Sequence, residues 1–335
     1  MKAIKLTLLV ALASLLFPSC GGHTATSYNK VDTIALAPCP TFVADSAFQY
    51  IKDQCAFGPR ITGSKESLKC AQYIEEKFQQ FGAKVSTHES YVVIYDGTRL
   101  PCRNIIASLN PDNPNRILLC AHWDSRPWAD NDPNPKNHKK PVLAANDGAS
   151  GVAVMLELCR IMQQHPIHTG IDFVCFDAED MGTPRWAEDD INHEDTWCLG
   201  SRNWAQWAAN EKNYTARFGI LFDMVGGRGN TFAREMISMQ YAAPVVDLLW
   251  HLAHQIGYGH YFPMKDGGFL IDDHVNVNKI CRIPCLDIVP YYEDGPSSFG
   301  PTWHTVDDTL ENIDPNVLEA VGQSVAQLLY NDDAE

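Results

Sequence analysis

Residues 171–180 read IDFVCFDAED, an apolar run that ends in neighbouring acidic residues. The run from Ile171 to Phe176 has the length and composition of a buried β-strand, so Glu179 and Asp180 stand where that strand ends. Because adjacent side chains at a strand end point in different directions, one carboxylate is available to a metal ion and its neighbour to proton transfer. The alternative is a pair of solvated loop acids, since Asp and Glu are mostly exposed in proteins.

The rest of the chain has the pattern of an α/β protein. Five further apolar runs, rich in β-branched residues, predict strands over 91–95, 104–109, 117–121, 218–222 and 283–289. Helical spacing of apolar residues predicts helices over 42–57, 64–81, 151–163, 201–210, 243–256 and 315–329. Most of the strands lack alternation, which is typical of strands covered on both faces. We therefore expect a three-layer α/β/α sandwich with a mixed, mostly parallel central sheet.

The N-terminal residues have the features of an export signal. Lys2 and Lys5 precede an apolar run over residues 8–17 that is too short to span a bilayer. We expect a signal peptide over 1–19 and an exported protein. The stretch around Cys20 resembles a bacterial lipoprotein cleavage site, which implies a lipidated Cys20, a tether over 20–39 and a single catalytic domain over 40–335 on the periplasmic side. Simple secretion without a lipid is the alternative.

The charge of the chain excludes two classes of partner. The net charge is −15 at pH 7, and loss of Lys2 and Lys5 with the signal peptide would take it to −17. Nucleic acids and anionic membrane surfaces attract clustered Lys and Arg, so neither is an expected partner. A membrane is expected to be contacted only through the lipid anchor.

Polar residues follow several of the predicted strands, where open α/β sheets collect their ligands. A catalytic zinc site takes His and carboxylate ligands and keeps one position open. For any single residue a structural role is the stronger reading, but the repeated placement at strand ends favours a metal site. The candidates are His122, Asp124, Asp147, Glu179, Asp180, Asp223, Asp272, Asp273, His274 and His304.

Several of these residues lie in motifs that together resemble the zinc aminopeptidase superfamily, which includes the glutaminyl cyclases. The resemblance covers residues 55–315 and implies a zinc-aminopeptidase-like fold. The motifs are His122-x-Asp124, Asn146-Asp147-Gly148-Ala149-Ser150-Gly151, Glu179-Asp180, Asp223 and His304, with Gly58-Pro59-Arg60-x-x-Gly63-Ser64 upstream.

The last motif separates two branches of that superfamily. The aminopeptidases bind two zinc ions and hydrolyse peptide bonds, whereas the cyclases bind one zinc ion. Residues 303–308 read WHTVDD and residues 312–314 read NID, which resembles the cyclase pattern. The element Asp272-Asp273-His274 and an aromatic residue after the acidic pair, Trp186, fit the same branch.

The resemblance implies a role for each matched residue. It makes Asp147, Asp180 and His304 the ligands of one zinc ion and Glu179 the proton-transfer residue. It makes Asp223 and Asp272 the pair that holds the substrate amide and amine, and Trp186, Phe299 and Trp303 the pocket walls. His122 and His274 are expected outside the metal's ligand set. Two positions depart from the animal enzymes, which have Glu in place of Asp180 and His in place of Asp287, and these differences suggest a bacterial branch.

The implied reaction is that of a glutaminyl-peptide cyclotransferase. The α-amine of an N-terminal glutamine, on a peptide or protein, attacks its own γ-amide carbon, which forms pyroglutamate and releases ammonia. Zinc would polarise the γ-carbonyl, and Glu179 would act first as general base and then as general acid. One alternative is a two-zinc aminopeptidase with His122 and Asp223 on the second ion. Another is a non-catalytic binding protein, which would be expected to have lost metal ligands.

Overall fold

The computed structural model describes residues 33–190 and 196–334 and contains a six-stranded sheet. The strands are β1 (Lys84–Val93), β2 (Arg99–Leu109), β3 (Arg116–His122), β4 (Gly170–Phe176), β5 (Gly219–Phe222) and β6 (Cys285–Ile288). Their order in the sheet is β1-β2-β4-β3-β5-β6. β3 is parallel to β4 and β5, and β5 is parallel to β6, whereas β2 is antiparallel to both β1 and β4. The predicted mixed, mostly parallel sheet is confirmed.

Helices cover both faces of the sheet. The helices are α1 (Ala44–Cys55), α2 (Lys65–Gln80), α3 (Ala149–Gln164), α4 (Leu199–Asn210), α5 (Met236–Gln255), α6 (Asp273–Asn276) and α7 (Pro315–Ala334). One core joins the sheet to α1, α2, α3, α5 and α7. A second core joins the opposite face to α4 and to the wide helical turn Val277–Cys281 that follows α6. The structure is therefore the three-layer sandwich that the sequence predicts.

The central strands are buried on both faces, which explains why they show no alternation in the sequence. Ile117, Leu119 and Ala121 of β3 belong to the larger core, and Leu118 and Cys120 belong to the smaller one. Every residue of β3 and β4 is buried. Full burial of one large apolar side chain contributes about 1.5–3 kcal/mol, so these strands fix the sheet to both helix layers.

Three elements begin five or more residues earlier than the sequence pattern predicts, and one of them is β2, which begins at Arg99 rather than at residue 104. β1 begins at Lys84 rather than at residue 91, and most of its residues are exposed or half-buried because it is an edge strand. α5 begins at Met236 rather than at residue 243. Pro244 lies inside this helix and Ala242 has a non-helical φ of −133°, so the apolar spacing is regular only beyond that kink.

The predicted signal peptide, residues 1–19, and Cys20 lie outside the described residues. Residues 34–39 fall within the predicted tether, yet they pack against the domain. Ile34 N–H donates to Gln255, Ala37 N–H donates to Asn331, and the Gln327 amide donates to Ala37 O. Ile34–Glu335 forms one compact unit. None of the helices in the described part of the chain is both long and apolar enough to span a membrane.

Candidate active site

The carboxyl ends of β3, β4 and β5 open into a cavity of about 360 Å³. His122 ends β3, the acidic pair follows β4, and Asp223 follows β5. All but one of the site residues expected from the sequence line this cavity, namely Asp147, Glu179, Asp180, Asp223, Asp272, Phe299, Trp303 and His304. His122, the acidic pair and Asp223 thus lie at the strand ends, where open α/β sheets collect their ligand-binding groups.

Asp147, Asp180 and His304 form one buried cluster whose ligand atoms all lie within 4.8 Å of one another. His304 Nε2 lies 2.9 Å from Asp180 Oδ1 and 3.6 Å from Asp147 Oδ2. Two ligands of a tetrahedral zinc ion at about 2.0–2.1 Å stand about 3.3–3.4 Å apart, so these distances suit one ion. Asp147 Oδ2 and Asp180 Oδ2 are buried and have no hydrogen-bond partner within residues 33–190 and 196–334. A divalent cation would satisfy both oxygens.

His122, Asp147 and Asp223 form a second buried cluster that meets the same distance criterion. His122 Nε2 lies 2.9 Å from Asp147 Oδ1 and 3.2 Å from Asp223 Oδ1. Asp147 thus offers one oxygen to each cluster. The sequence placed His122 outside the ligand set, and its contacts suit either a hydrogen-bonded support for Asp147 or a ligand of a second ion.

Two further carboxylates hold the ligand-bearing loops by their backbone. Asp124 accepts the N–H groups of Glu179 and Asp180 at 3.1 and 3.2 Å, and its Oδ1 lies 3.4 Å from His122 Nδ1. Asp308 accepts the N–H groups of Asn146 and Asp147 at 2.8 and 3.0 Å. Asp124, a candidate ligand in the sequence, therefore positions the acidic pair, and neither Asp124 nor Asp308 belongs to the two clusters.

Gly148 lets the Asp147 loop approach β3. Its φ is +102°, in the left-handed region that favours glycine. A Cβ at this position would lie 2.8 Å from Asp124 O and 2.9 Å from His122 Cε1. The glycine of the Asn146-Asp147-Gly148 motif is thus required for the close contact between the loop and the strand end.

The ionisable groups of the cavity differ in the direction in which burial and neighbouring charges shift their pKa values. Burial lowers the pKa of His304 below its ordinary value despite nearby Asp180, which leaves the imidazole neutral and able to bind a metal. Burial opposes ionisation of Asp180, yet His304 and Arg126 lower the pKa of its carboxyl. By contrast, burial and then Asp180 raise the pKa of Glu179 well above its ordinary value. Burial and then Asp223 raise the pKa of Asp272 to about 7.

Aromatic rings enclose the metal-binding histidine. The Trp303 ring stacks on His304 at 3.7 Å, the Trp197 ring is stacked with His304 at 5.6 Å, and Phe299 stacks on Trp303 at 5.0 Å. Trp197 lines the cavity, although the sequence did not single it out. A Cβ on Gly182 would lie 2.1 Å from the Trp197 ring, so only glycine leaves room for that ring.

The pocket-wall role expected of Trp186 is not supported, because this residue does not line the cavity. Its side chain is 44% exposed and meets the edge of Trp128 at 5.8 Å. Trp186 lies in the short helix Arg185–Asp190, whereas the next tryptophan in the sequence, Trp197, lines the cavity. The tryptophan that lines the cavity is thus Trp197, and the role expected of Trp186 stays a prediction.

A buried polar network lies next to Asp272. His274 Nε2 is 3.2 Å from Glu235 Oε2, and its Nδ1 is 3.6 Å from Asp287 Oδ2. Glu235 also accepts the backbone N–H groups at the start of α5 and from Leu270, which lines the cavity. His274 is part of this network through its contact with Glu235, and it belongs to neither of the two candidate metal-binding clusters.

An α/β sandwich with a carboxylate and histidine metal centre beyond its strand ends defines a metal-dependent hydrolase or a related enzyme. The chain belongs to peptidase family M28, whose model matches residues 104–329. The chain spans about a third to a half of the length of the first curated relatives that it matches.

Solved structures agree with this assignment over most of the chain. The glutaminyl cyclase of Tannerella forsythia is 48% identical with a TM-score of 0.84, and the match covers 87% of this chain and 99% of that one. The glutaminyl cyclase of Bacteroides thetaiotaomicron bound to N-acetylhistamine is 45% identical with a TM-score of 0.84, covering 88% and 99%. A Zn-dependent exopeptidase from Parabacteroides distasonis is 45% identical with a TM-score of 0.85, covering 88% and 100%. These similarities support a zinc-dependent enzyme.

Proposed function

We propose that the protein is a glutaminyl-peptide cyclotransferase that uses one zinc ion and releases ammonia. The observation that carries this proposal is the stacking of Trp303 on the ligand His304 at 3.7 Å. Together with Trp197 and Phe299, this ring makes an apolar wall beside the metal-binding cluster. Such a wall suits a glutamine side chain folded back on itself, because ring closure depends on holding that conformer and needs no water.

The residues of the chain supply the remaining steps. Glu179 accepts a proton from the α-amine as that amine attacks the γ-amide carbon, and returns it to the departing nitrogen. The raised pKa of Glu179 suits both halves of this transfer. Asp223 and Asp272, which both line the cavity, accept hydrogen bonds from the substrate amide and amine. Asp147, Asp180 and His304 would hold the zinc ion, which when bound acts as a Lewis acid toward the γ-carbonyl.

The second candidate is a two-zinc aminopeptidase, and the His122, Asp147 and Asp223 cluster favours it. In that reading His122 Nε2 and one oxygen each of Asp147 and Asp223 bind a second ion. A water activated between the two ions would then attack the first peptide bond.

One substrate separates the two candidates. A peptide that begins with glutamine is incubated with purified protein, and its products are identified by mass spectrometry alongside a metal analysis of the protein. Cyclisation leaves the chain intact and one ammonia lighter, and we expect it with one zinc per chain. Release of free glutamine with two zinc ions per chain would establish the aminopeptidase instead. A leucine-initiated peptide of the same length is the control, because only the aminopeptidase consumes it.

Replacing Glu179 by Gln tests the division of labour within the acidic pair. We expect zinc to stay bound while kcat falls by about 100-fold or more, because the general acid–base group is lost. Asp180→Asn is the matched variant and should lose zinc, since it weakens a ligand. Zinc loss in Glu179→Gln with retention in Asp180→Asn would show that the two roles are exchanged.

The substrates we propose are peptides or proteins with an N-terminal glutamine that reach the periplasmic side. Export through residues 1–19 and lipidation at Cys20 remain predictions from the sequence. Labelling of cells with a radioactive fatty acid, with Cys20→Ser as the control, tests the anchor directly.

A further inference from the structure

We propose that Cys198 is a positioning residue that holds the carboxylate of Glu179 in its proton-transfer orientation. This role rests on the proposed function, in which Glu179 moves the proton. The Cys198 Sγ lies 3.2 Å from Glu179 Oε1 and donates to it. Within the described ranges, no other side chain hydrogen-bonds to that carboxylate.

Backbone hydrogen bonds hold Cys198 beside Glu179. Cys198 has a φ of +53° at the N-terminus of α4, and its N–H donates to Glu179 O at 3.0 Å. Leu199 N–H donates to Ala178 O at 3.1 Å. The carbonyl of Cys198 accepts the Ser201 hydroxyl at 3.0 Å and the Asn276 amide at 3.1 Å. Two backbone hydrogen bonds thus join residues 178–179 to residues 198–199 and fix the backbone of Cys198 beside that of Glu179.

The thiol lies close to a second acid of the proposed reaction, Asp272. A carboxylate oxygen of Asp272 lies within 4.8 Å of both the Cys198 sulfur and a Glu179 oxygen. Asp272 is 3% exposed, and its Oδ2 has no hydrogen-bond partner in the described part of the chain. The thiol therefore stands beside both acids that the proposed reaction assigns to the substrate, and it can set the distance between them.

A thiol suits this task because it donates weakly. Burial, and then the nearby Glu179, raise the pKa of the Cys198 thiol well above its usual value, so the sulfur keeps its proton. A weak donor restricts the rotamers of the carboxylate without holding its negative charge as a strong donor would. Glu179 keeps its second oxygen for the substrate, and its side chain is oriented before the substrate binds.

The test compares three variants for cyclisation of a glutamine-initiated peptide, with zinc content and Tm measured for each. Cys198→Ser keeps a donor, so kcat should fall by no more than about threefold, and this small loss is expected because a hydroxyl donates more strongly than a thiol and stabilises the charged form of Glu179. Cys198→Ala removes the donor and should lower kcat about tenfold with KM nearly unchanged, because misorientation of a reacting group lowers the rate of the chemical step. Cys175→Ala is the control, since it removes a buried thiol from β4 away from the acids and should alter Tm but not kcat.

Equal kcat values for Cys198→Ser and Cys198→Ala would overturn the proposal, whether both are high or both are low. Zinc loss confined to Cys198→Ala would also overturn it, because the effect would then act through the metal. Cys198→Gly, which suits the left-handed backbone, supplies the donor-free comparison where the alanine variant does not fold. If the wild-type protein instead cleaves the peptide, the proposed function fails. The same series measured on cleavage then tests Cys198 separately, since Glu179 moves the proton there too.

Discussion

Replacing Asp124 by Ala should release the backbone of the acidic pair. Asp124 is buried and accepts the N–H groups of Glu179 and Asp180 at 3.1 and 3.2 Å. Each buried donor that loses its acceptor costs about 1–3 kcal/mol, so the variant should lose about 2–6 kcal/mol of unfolding free energy. At about 1.6 °C per kcal/mol for a domain of about 300 residues, the Tm should fall by about 3–10 °C. Because Asp180 shifts with its backbone, zinc affinity should fall about 10–100-fold.

The assay is thermal unfolding with and without zinc, together with zinc affinity from competition with a chromophoric chelator. Asp172→Asn is the matched control, because Asp172 is a buried acid on β4 that bonds to Arg116 and Tyr214 at the opposite end of the strand. It should lose stability and keep its zinc affinity. If Asp124→Ala binds zinc as tightly as the wild-type protein does, the idea that Asp124 positions the ligand loop is refuted.

Three further predictions concern separate parts of the site. Gly148→Ala should lower the unfolding free energy by about 2 kcal/mol or more, since its φ of +102° is strained for alanine, and an unchanged denaturation midpoint would contradict this. Burial opposes ionisation of Glu235, yet His274 and backbone donors lower the pKa of its carboxyl from an ordinary 4.5 to about 2. The ionised carboxylate therefore stabilises the folded protein above pH 4.5, and this stabilisation is lost as the pH falls toward 2. Glu235→Gln should therefore remove about 3 kcal/mol of pH dependence from urea unfolding in that window, and an equally steep dependence would count against the pairing. Phe269→Ala should raise KM about three- to tenfold with little change in kcat, because this 63% exposed side chain lines the cavity. The control is Leu68→Ala, which removes a 52% exposed side chain from α2. An unchanged KM in Phe269→Ala would show that the substrate does not contact Phe269.

The sequence predicted the central strands closely because burial on both faces leaves an unbroken apolar run. The run from residue 171 to 176 differs from β4 by one residue. The sequence pattern predicted the bounds of an element poorly where the environment of that element changes along its length. β1 is an edge strand with charged residues, and the first half of α5 is separated by the kink at Ala242 and by Pro244 from the regular spacing. Both depend on neighbours that a local pattern does not contain.

The candidate site likewise contains residues that the sequence could predict and residues that it could not. Strand ends in a parallel sheet meet at one edge, so the metal-binding clusters could be anticipated from Asp147, Asp180 and His304. Trp197 could not be told from Trp186, because the two residues stand close together in the sequence and tertiary contacts decide which of them reaches the cavity. Asp124 and Cys198 act through bonds to the backbone or to one carboxylate, and residue type alone does not indicate such bonds. The one available signal was their proximity in sequence to ligand motifs.

Asp147 gives one oxygen to each of two complete metal-binding clusters. The same chain therefore contains both the three-residue set that one ion needs and the set that a second ion would need. The proposed ring closure and the alternative peptide hydrolysis would then draw on the same ligand residues, so a change from one reaction to the other would need no ligand to be gained or lost. Selection would then act on the walls and supports around His122 and His304. Enzymes of this fold that catalyse different reactions are therefore expected to differ in these surrounding residues more than in the metal ligands.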